Sequence, residues 1–355
     1  MNLDNSRILV VKPSSLGDVV HTLPVVHAIK RFHPSCYIGW IVQASFSAIL
    51  EPDPAIDEII PIVIPSTSDP HADRGAVLRA TAGTLSTWRK LRKRFRSRPY
   101  NVVLDLHASF RSGLLEFANP GGIRIGFADA KELNTLFQHY TIAPDPQKPH
   151  AVDKNLLFAE YLGCQPQPED FRIATSPRAR ENVRKLLAFE LAPAERIIYA
   201  NPAARWTTKM WSVEAWAELA DLLIHRSRAT VVLAGSPTDV PYIRSITHRM
   251  KTRPAVAAGK IDLADAVALM EISTAYVGVD SGPMHIAAFA GIPVVALFGP
   301  TDPAKVGPYG NGHRVVRAES LTCLACRKRS CDARRCMEEI TPERVYEETI
   351  QLLNW

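Results

Sequence analysis

Short apolar runs separated by helical segments recur along the chain, and the whole pattern occurs twice. In the first half the runs are Arg7–Lys12, Tyr37–Val42, Glu58–Val63, Asn101–Leu106 and Ile123–Phe127. In the second they are Arg196–Ala200, Thr230–Ala234, Ala275–Val279, Val294–Phe298 and Arg314–Val316. Runs this uniformly apolar suit strands buried on both faces, as in parallel sheets covered by helices. The expected fold class is therefore α/β, with two similar parallel-sheet halves. A chain of 355 residues is long enough for two such domains. The Pro-containing stretch Gln165–Pro177 is the expected linker. In open α/β sheets, ligands bind at the carboxyl ends of the strands, so the segments that follow each strand are where chemistry is sought.

Local signals refine this plan. A helix is expected after Asp18 and ends at His33-Pro34, with Pro24 either kinking it or marking its true start. Ser212 is placed to cap a helix, with Trp211 and Trp216 as its hydrophobic staple. Thr341 followed by Pro342 starts the last helix. Leu85, Trp88, Leu91 and Phe95 fall at helical spacing within a basic run that ends at Arg98. That helix is either a solvated face or a patch for an anionic membrane surface.

Composition excludes several classes. With 46% hydrophobic and 22% charged residues the chain is globular rather than disordered. No apolar run reaches the ~18 residues of a membrane span. The nearest, Ala287–Gly299, is interrupted by Gly291 and Pro293. The N-terminus runs directly into a strand, so no signal peptide is expected. A net charge of +6 fits an anionic substrate or membrane surface, and no nucleic-acid motif is present, so no nucleic-acid partner is expected. No G-x-G-x-x-G or phosphate-loop signature occurs, and the serine of Gly278–Gly282 sits one place too late for a nucleophile elbow.

Five segments can carry chemistry. Lys12–Asp18 follows the first strand. Gly17 permits close backbone approach, and Asp18 is either a carboxylate that takes a proton from a hydroxyl nucleophile or a helix N-cap. Asp105–Ser112 follows a later strand and carries His107 and Arg111, the latter able to hold an acidic group. Asn201–Trp211 carries Lys209, either a neutraliser of a leaving diphosphate or an ordinary loop lysine. Val279–His285 joins a strand to a helix that starts near Pro283, whose free N–H groups suit a phosphate; a plain capped junction is the alternative. Cys323, Cys326, Cys331 and Cys336 are spaced for a structural zinc or, less readily, an iron–sulfur site, against free thiols.

Lys12–Asp18, Lys209 within Ala204–Trp211, Asp280–His285, Phe298-Gly299-Pro300-Thr301 and the cysteine-rich tail together resemble the lipopolysaccharide heptosyltransferases, glycosyltransferase family nine. The resemblance spans nearly the whole chain in the right order. It implies a GT-B fold, two Rossmann-like domains facing each other across a cleft. Residues 1–172 would form the acceptor-side domain and 173–340 the nucleotide-sugar domain, with a helix over 341–355 packing back on the first. It implies inverting transfer of a heptose from ADP-L-glycero-β-D-manno-heptose to the Kdo region of the lipopolysaccharide core. Asp18 would be the base and Lys209 would stabilise the departing ADP. Asp280, Ser281, Gly282, His285, Asp239 and Thr301 would bind the donor. Ser15, Gly17, His107, Arg111 and Lys131 would bind the acceptor. No cofactor would be required, with a structural zinc at the cysteines one reading.

The N-terminal run looks most like heptosyltransferase I, acting on Kdo2-lipid A, whereas the cysteine tail looks more like heptosyltransferase II, acting on a heptosylated inner core. Ala203-Ala204 and Lys131-Glu132 depart from what some members carry near the phosphates and the acceptor. The implied location is cytoplasmic, peripheral at the inner-membrane surface. Two other readings are a family member using another nucleotide sugar, and a non-enzymatic nucleotide-binding protein held at the membrane by the helix Trp88–Arg98.

Overall fold

A computed structural model describes residues 2–64, 75–190 and 196–355. The chain divides into two compact units, Met1–Phe171 and Arg172–Trp355. Each is built on one six-stranded, wholly parallel sheet.

In the first unit the strands are β1 (Arg7–Val11), β2 (Tyr37–Gln43), β3 (Glu58–Ile62), β4 (Val102–Asp105), β5 (Ile123–Phe127) and β6 (Tyr140–Ile142), ordered β3-β2-β1-β4-β5-β6. The central strands are buried along their length, which is why their sequences run apolar rather than alternating. Pro61 sits in β3, at the sheet edge, where a missing amide donor is tolerated. In the second unit β7 (Ile197–Asn201), β8 (Thr230–Leu233), β9 (Ala255–Val256), β10 (Ala275–Val279), β11 (Val294–Leu297) and β12 (His313–Val316) are ordered β12-β11-β10-β7-β8-β9. The two orders are the same when each unit is counted from its own first strand. In each, the chain runs outward on one side, then returns to build the other. The switch points lie between β1 and β4, and between β7 and β10. All ten expected strands form; β6 and β9, three and two residues long at the sheet edges, carry too little pattern to have been read.

The helix expected after Asp18 is two helices, α1 (Leu16–Val20) and α2 (Leu23–Phe32). Pro24 lies in the first turn of α2, so it marks a start rather than a kink. Asp18 does not cap the helix: Ser15 is the N-cap and Asp18 is its N3 partner. The basic run belongs to a longer helix, α3 (Ala76–Ser97). Ala80, Thr84, Leu91 and Phe95 are its buried seam, with Trp88 partly buried. Next come α4 (Phe110–Glu116) and α5 (Ala151–Tyr161).

The second unit holds α6 (Pro177–Glu190), α7 (Val213–Ser227), α8 (Val240–Thr247), α9 (Leu263–Glu271), α10 (Gly282–Phe289), α11 (Pro303–Val306), α12 (Arg335–Glu338) and α13 (Pro342–Leu353). Ser212 Oγ accepts from the Ala215 amide at 3.1 Å, and the Trp211 and Trp216 rings meet edge-on at 5.4 Å, forming the expected cap and staple. Thr341 caps α13 as expected. That last helix, set apart in the sequence reading, is built into the second unit. It packs on α7 and β12, and Tyr346, Leu352, Leu353 and Trp355 join the core around Trp216. Its apolar stripe needs that surface to leave water. Among the described residues, no helix is long and apolar enough to cross a membrane.

Candidate active site

Because every strand in a unit points the same way, the segments leaving β1 and β4 emerge at one edge of the first sheet. Lys12 is buried there, and its Nζ donates to the Leu106 carbonyl at 2.6 Å, tying the two segments together. The same Nζ lies 3.8 Å from Asp18 Oδ1. Asp18 Oδ2 accepts from the Ser15 amide at 2.8 Å and from the Ser15 hydroxyl at 2.7 Å. Burial works against the charge. The Lys12 ammonium and the Ser15 donors outweigh it and hold the Asp18 carboxyl well below the usual carboxylate range. His107, beside this pair, is pushed the other way. Burial and the Lys12 charge lower its pKa, so the imidazole stays neutral.

Asp105 organises the second segment. Its Oδ1 accepts from the amides of His107 (2.9 Å) and Ala108 (3.0 Å), and its Oδ2 from Ser112 Oγ (2.7 Å) and Asn134 Nδ2 (2.7 Å). Asn134 also donates to the Ser109 carbonyl at 2.7 Å, and the Lys131 amide donates to the Ala108 carbonyl at 3.2 Å. A buried carboxylate with four donors is fully satisfied and fixes the turn rigidly. Ser15, Gly17, Asp18 and His107 thus gather at the switch point. Arg111 lies in the first turn of α4, and Lys131 lies in the loop before the 3₁₀ turn Asn134–Phe137. Lys12, Asp105 and Asn134 carry the arrangement; Lys12 and Asp105 open segments noted in the sequence, but no role was read for either, and Asn134 was not noted. Asp105 and Asn134 lie too far apart in the chain for spacing to pair them.

In the second unit the segments after β7, β10 and β11 meet at the corresponding edge. Lys209 Nζ lies 2.6 Å from Asp280 Oδ2, both side chains largely buried. Thr301 Oγ1 donates to the same carboxylate oxygen. Asn201 Nδ2 donates to Ser281 Oγ at 3.0 Å and to the Ala203 carbonyl at 2.9 Å. Ser281 is the N-cap of α10 but makes no side-chain cap bond. Pro283 has no N–H and the Met284 amide donates to the Ser281 carbonyl at 3.1 Å, so the first-turn donor placed to meet an anion is the Gly282 amide, with the positive end of the helix dipole behind it. Gly282 opens this turn and His285 is buried within it. Trp206 has Lys209 Nζ and the Arg329 guanidinium each 4.8 Å from its ring, a cation–π arrangement not foreseen from sequence. Asp239 lies beyond β8 and is engaged locally. Its Oδ2 accepts from the Ser236 amide and hydroxyl, closing a capping box.

Of the two readings of the cysteine cluster, zinc site or free thiols, the zinc site finds no support. Among the described residues, no three His, Cys, Asp or Glu side chains are gathered as a metal ion would need. Cys323, Cys326 and Cys331 are exposed and Cys336 is buried. The segment is held by its backbone instead. The Ala325 and Arg327 amides donate to the Gly299 and Pro300 carbonyls (3.1 and 2.7 Å), and Thr208 Oγ1 donates to the Lys328 carbonyl (2.9 Å). It is a strap joining the turn that carries Lys209 to the loop that carries Thr301. Gly299 admits it closely: a Cβ there would lie 2.8 Å from Cys336 Sγ.

Residues 88–336 match the family model described as glycosyltransferase family 9 (heptosyltransferase). The chain is 27% identical over 313 residues to the lipopolysaccharide core heptosyltransferase OpsX of Haemophilus influenzae, spanning 87% of this chain and 83% of that protein. A solved glycosyltransferase family 9 structure from Veillonella parvula superposes with a TM-score of 0.83 at 24% identity, over 100% of this chain and 99% of that one. The solved Escherichia coli ADP-heptose lipopolysaccharide heptosyltransferase II superposes with a TM-score of 0.75 at 25% identity, over 98% of both chains. These neighbours carry the GT-B fold class expected from the sequence.

Proposed function

The chain belongs to glycosyltransferase family 9, the heptosyltransferase family, and from that premise we propose that it transfers a heptose from ADP-L-glycero-β-D-manno-heptose to the Kdo region of the lipopolysaccharide core. It is a glycosyltransferase and a heptosyltransferase of the lipopolysaccharide core. The step proposed for it is the first one, onto Kdo2-lipid A, as the run from Lys12 through Pro24 suggests. Its place of work is the cytoplasmic face of the inner membrane, where a lipid-borne acceptor is met by a peripheral enzyme.

The reading rests on one observation. A carboxylate is held ionised at one sheet's switch point, and a largely buried lysine stands beside an uncapped helix N-terminus at the other's. Direct displacement at an anomeric carbon needs both. The acceptor hydroxyl oxygen bonds to C1 of the heptose while the bond from C1 to the diphosphate oxygen breaks. The hydroxyl proton passes to Asp18, and the bonding pair leaves with ADP. Lys209 and the Gly282 amide at the start of α10 meet the charge that grows on the diphosphate. Asp280 and Thr301 hold the lysine in place. Ser281, Gly282 and His285 line the donor side. Ser15, Gly17, His107, Arg111 and Lys131 present the acceptor. Asp239 reaches the nucleoside only if its capping bonds open.

The test is transfer itself. The purified full chain is incubated with ADP-heptose and Kdo2-lipid A, and the products are weighed by mass spectrometry. The expected product is one heptose heavier. Product with a heptosylated inner core alone would move the enzyme to a later step. Product with another nucleotide sugar alone would overturn the donor.

A further inference from the structure

Helix α3 and its neighbours differ from the rest of the surface. Between Gly75 and Tyr100 there is no Asp or Glu, while Arg79, Arg89, Lys90, Arg92, Lys93, Arg94, Arg96 and Arg98 are all basic. The buried seam through Ala80, Thr84, Leu91 and Phe95 fixes which face points outward. Helical spacing then places Leu78, Ala82 and Leu85, followed by Arg89, Lys93 and Arg96, along the solvent side. Leu78 is 75% exposed and Leu85 is 49% exposed. Arg94 is neutralised by Glu58 (Nε–Oε1 2.9 Å), but it lies toward the sheet rather than on this outer face.

A second observation stands beside the first. Among the described residues, every exposed large hydrophobic side chain except Ile272 belongs to the first unit. Several of them cluster next to α3. That helix packs on α4, and α4 packs on the 3₁₀ turn Asn134–Phe137. Phe110 of α4 and Phe117, the residue that caps its C-terminus, lie 5.4 and 6.2 Å, ring to ring, from Phe137. Gly113 makes the close seat possible, since a Cβ there would run into the Phe137 ring. Around this seat Phe110, Phe117, Leu133 and Leu136 are open to solvent, Leu133 and Leu136 by 68% and 77%. Leu133 also has φ 60°, a left-handed conformation costly for a leucine, and it presents an apolar side chain to water. The acid on this side is Glu132, which accepts from the Phe110 amide at 3.2 Å. The nearby Glu116 is buried and carries no charge, since burial and Asp105 push its carboxyl up to about 10.

A basic helix without acidic residues, beside a cluster of exposed Phe and Leu, is the surface an anionic bilayer binds. Headgroups meet the cations, and the apolar tips enter the boundary between headgroups and acyl chains. We infer that α3, α4 and the Asn134–Phe137 turn form a docking face by which the first unit lies on an anionic phospholipid bilayer. The face rests on the proposed function only for the reason a bilayer is met at all. Its test uses no sugar donor and no acceptor, so either reading can fail without the other.

Full-length protein is sedimented with vesicles of phosphatidylethanolamine and phosphatidylglycerol, and in parallel with phosphatidylcholine vesicles. Binding to the anionic vesicles, weakened by salt and absent from the neutral ones, is expected. The combined R89Q, K93Q and R96Q variant should bind about a hundred-fold more weakly. The combined L133S and L136S variant should lose several-fold affinity with the salt dependence unchanged. Unaltered circular dichroism and unaltered ADP affinity show that both variants are folded. Equal binding to neutral vesicles, or no effect of either variant, would overturn the docking face. So would a wild-type protein that ignores both vesicles while R89Q, K93Q and R96Q together raise the KM for Kdo2-lipid A in detergent, which would make the face an acceptor subsite.

Discussion

The two units share one sheet order and put their functional segments at the same topological place, yet the chemistry there is opposite in kind. At the first switch point a lysine serves a carboxylate: Lys12 is tied to Leu106 and keeps Asp18 ionised. At the second a carboxylate serves a lysine: Asp280, itself held by Thr301, grips Lys209. One arrangement offers a place for a proton, the other offers positive charge for a leaving anion. The outer surfaces differ as well, since the exposed apolar side chains described above gather on the first unit. A shared architecture fixes where a site lies, and the segments leaving the strands decide what it does.

The largest expected effect comes from disabling the first arrangement. Asp18→Asn keeps an acceptor for the Ser15 amide but cannot take a proton. Its kcat should fall by ~10²–10⁴-fold. A variant within threefold of wild type would remove Asp18 from the chemistry. Lys209→Met, on the other side of the comparison, should lower kcat/KM by ~10²–10³-fold. Lys209→Arg, which keeps the charge but not the compact ammonium, should recover part of that loss. If methionine and arginine were equally harmful, shape rather than charge would be what the position supplies.

The smallest effect is on stability and belongs to the first unit alone. Glu116 is neutral in the fold because burial, seconded by Asp105, pushes its carboxyl up to about 10, whereas the unfolded chain ionises it above about 4.3. The unfolded state therefore loses its proton first, and stability falls as pH rises between those two values. Glu116→Gln removes that slope. Denaturant unfolding should show the variant gaining ~1–3 kcal/mol on wild type at pH 8 relative to pH 5. A gain that does not change with pH would mean Glu116 is already charged in the fold.

Much of this was legible in the chain. The strands at the centre of each sheet are buried on both faces, so their apolar runs stood out, and the segments after β1, β4, β7 and β10 followed from the parallel order. Ser212 and Thr341 announced their helices because a cap hydroxyl acts on the next turn alone. What escaped depends on partners far along the chain. Asn134 reaches Asp105 from a different loop, and nothing in either segment marks the other. The cysteines stayed open between zinc and free thiols for a related reason. Their spacing suits a metal, but spacing does not say where four Sγ atoms point. The segment is committed to backbone bonds with Gly299, Pro300 and Thr208 instead.

The division of labour between the units is tested most directly by titrating ADP calorimetrically into wild type, Asp18→Asn and Lys209→Met. Binding unchanged in Asp18→Asn and weakened at least tenfold in Lys209→Met is the expected result. ADP affinity lost with Asp18 and kept without Lys209 would contradict it.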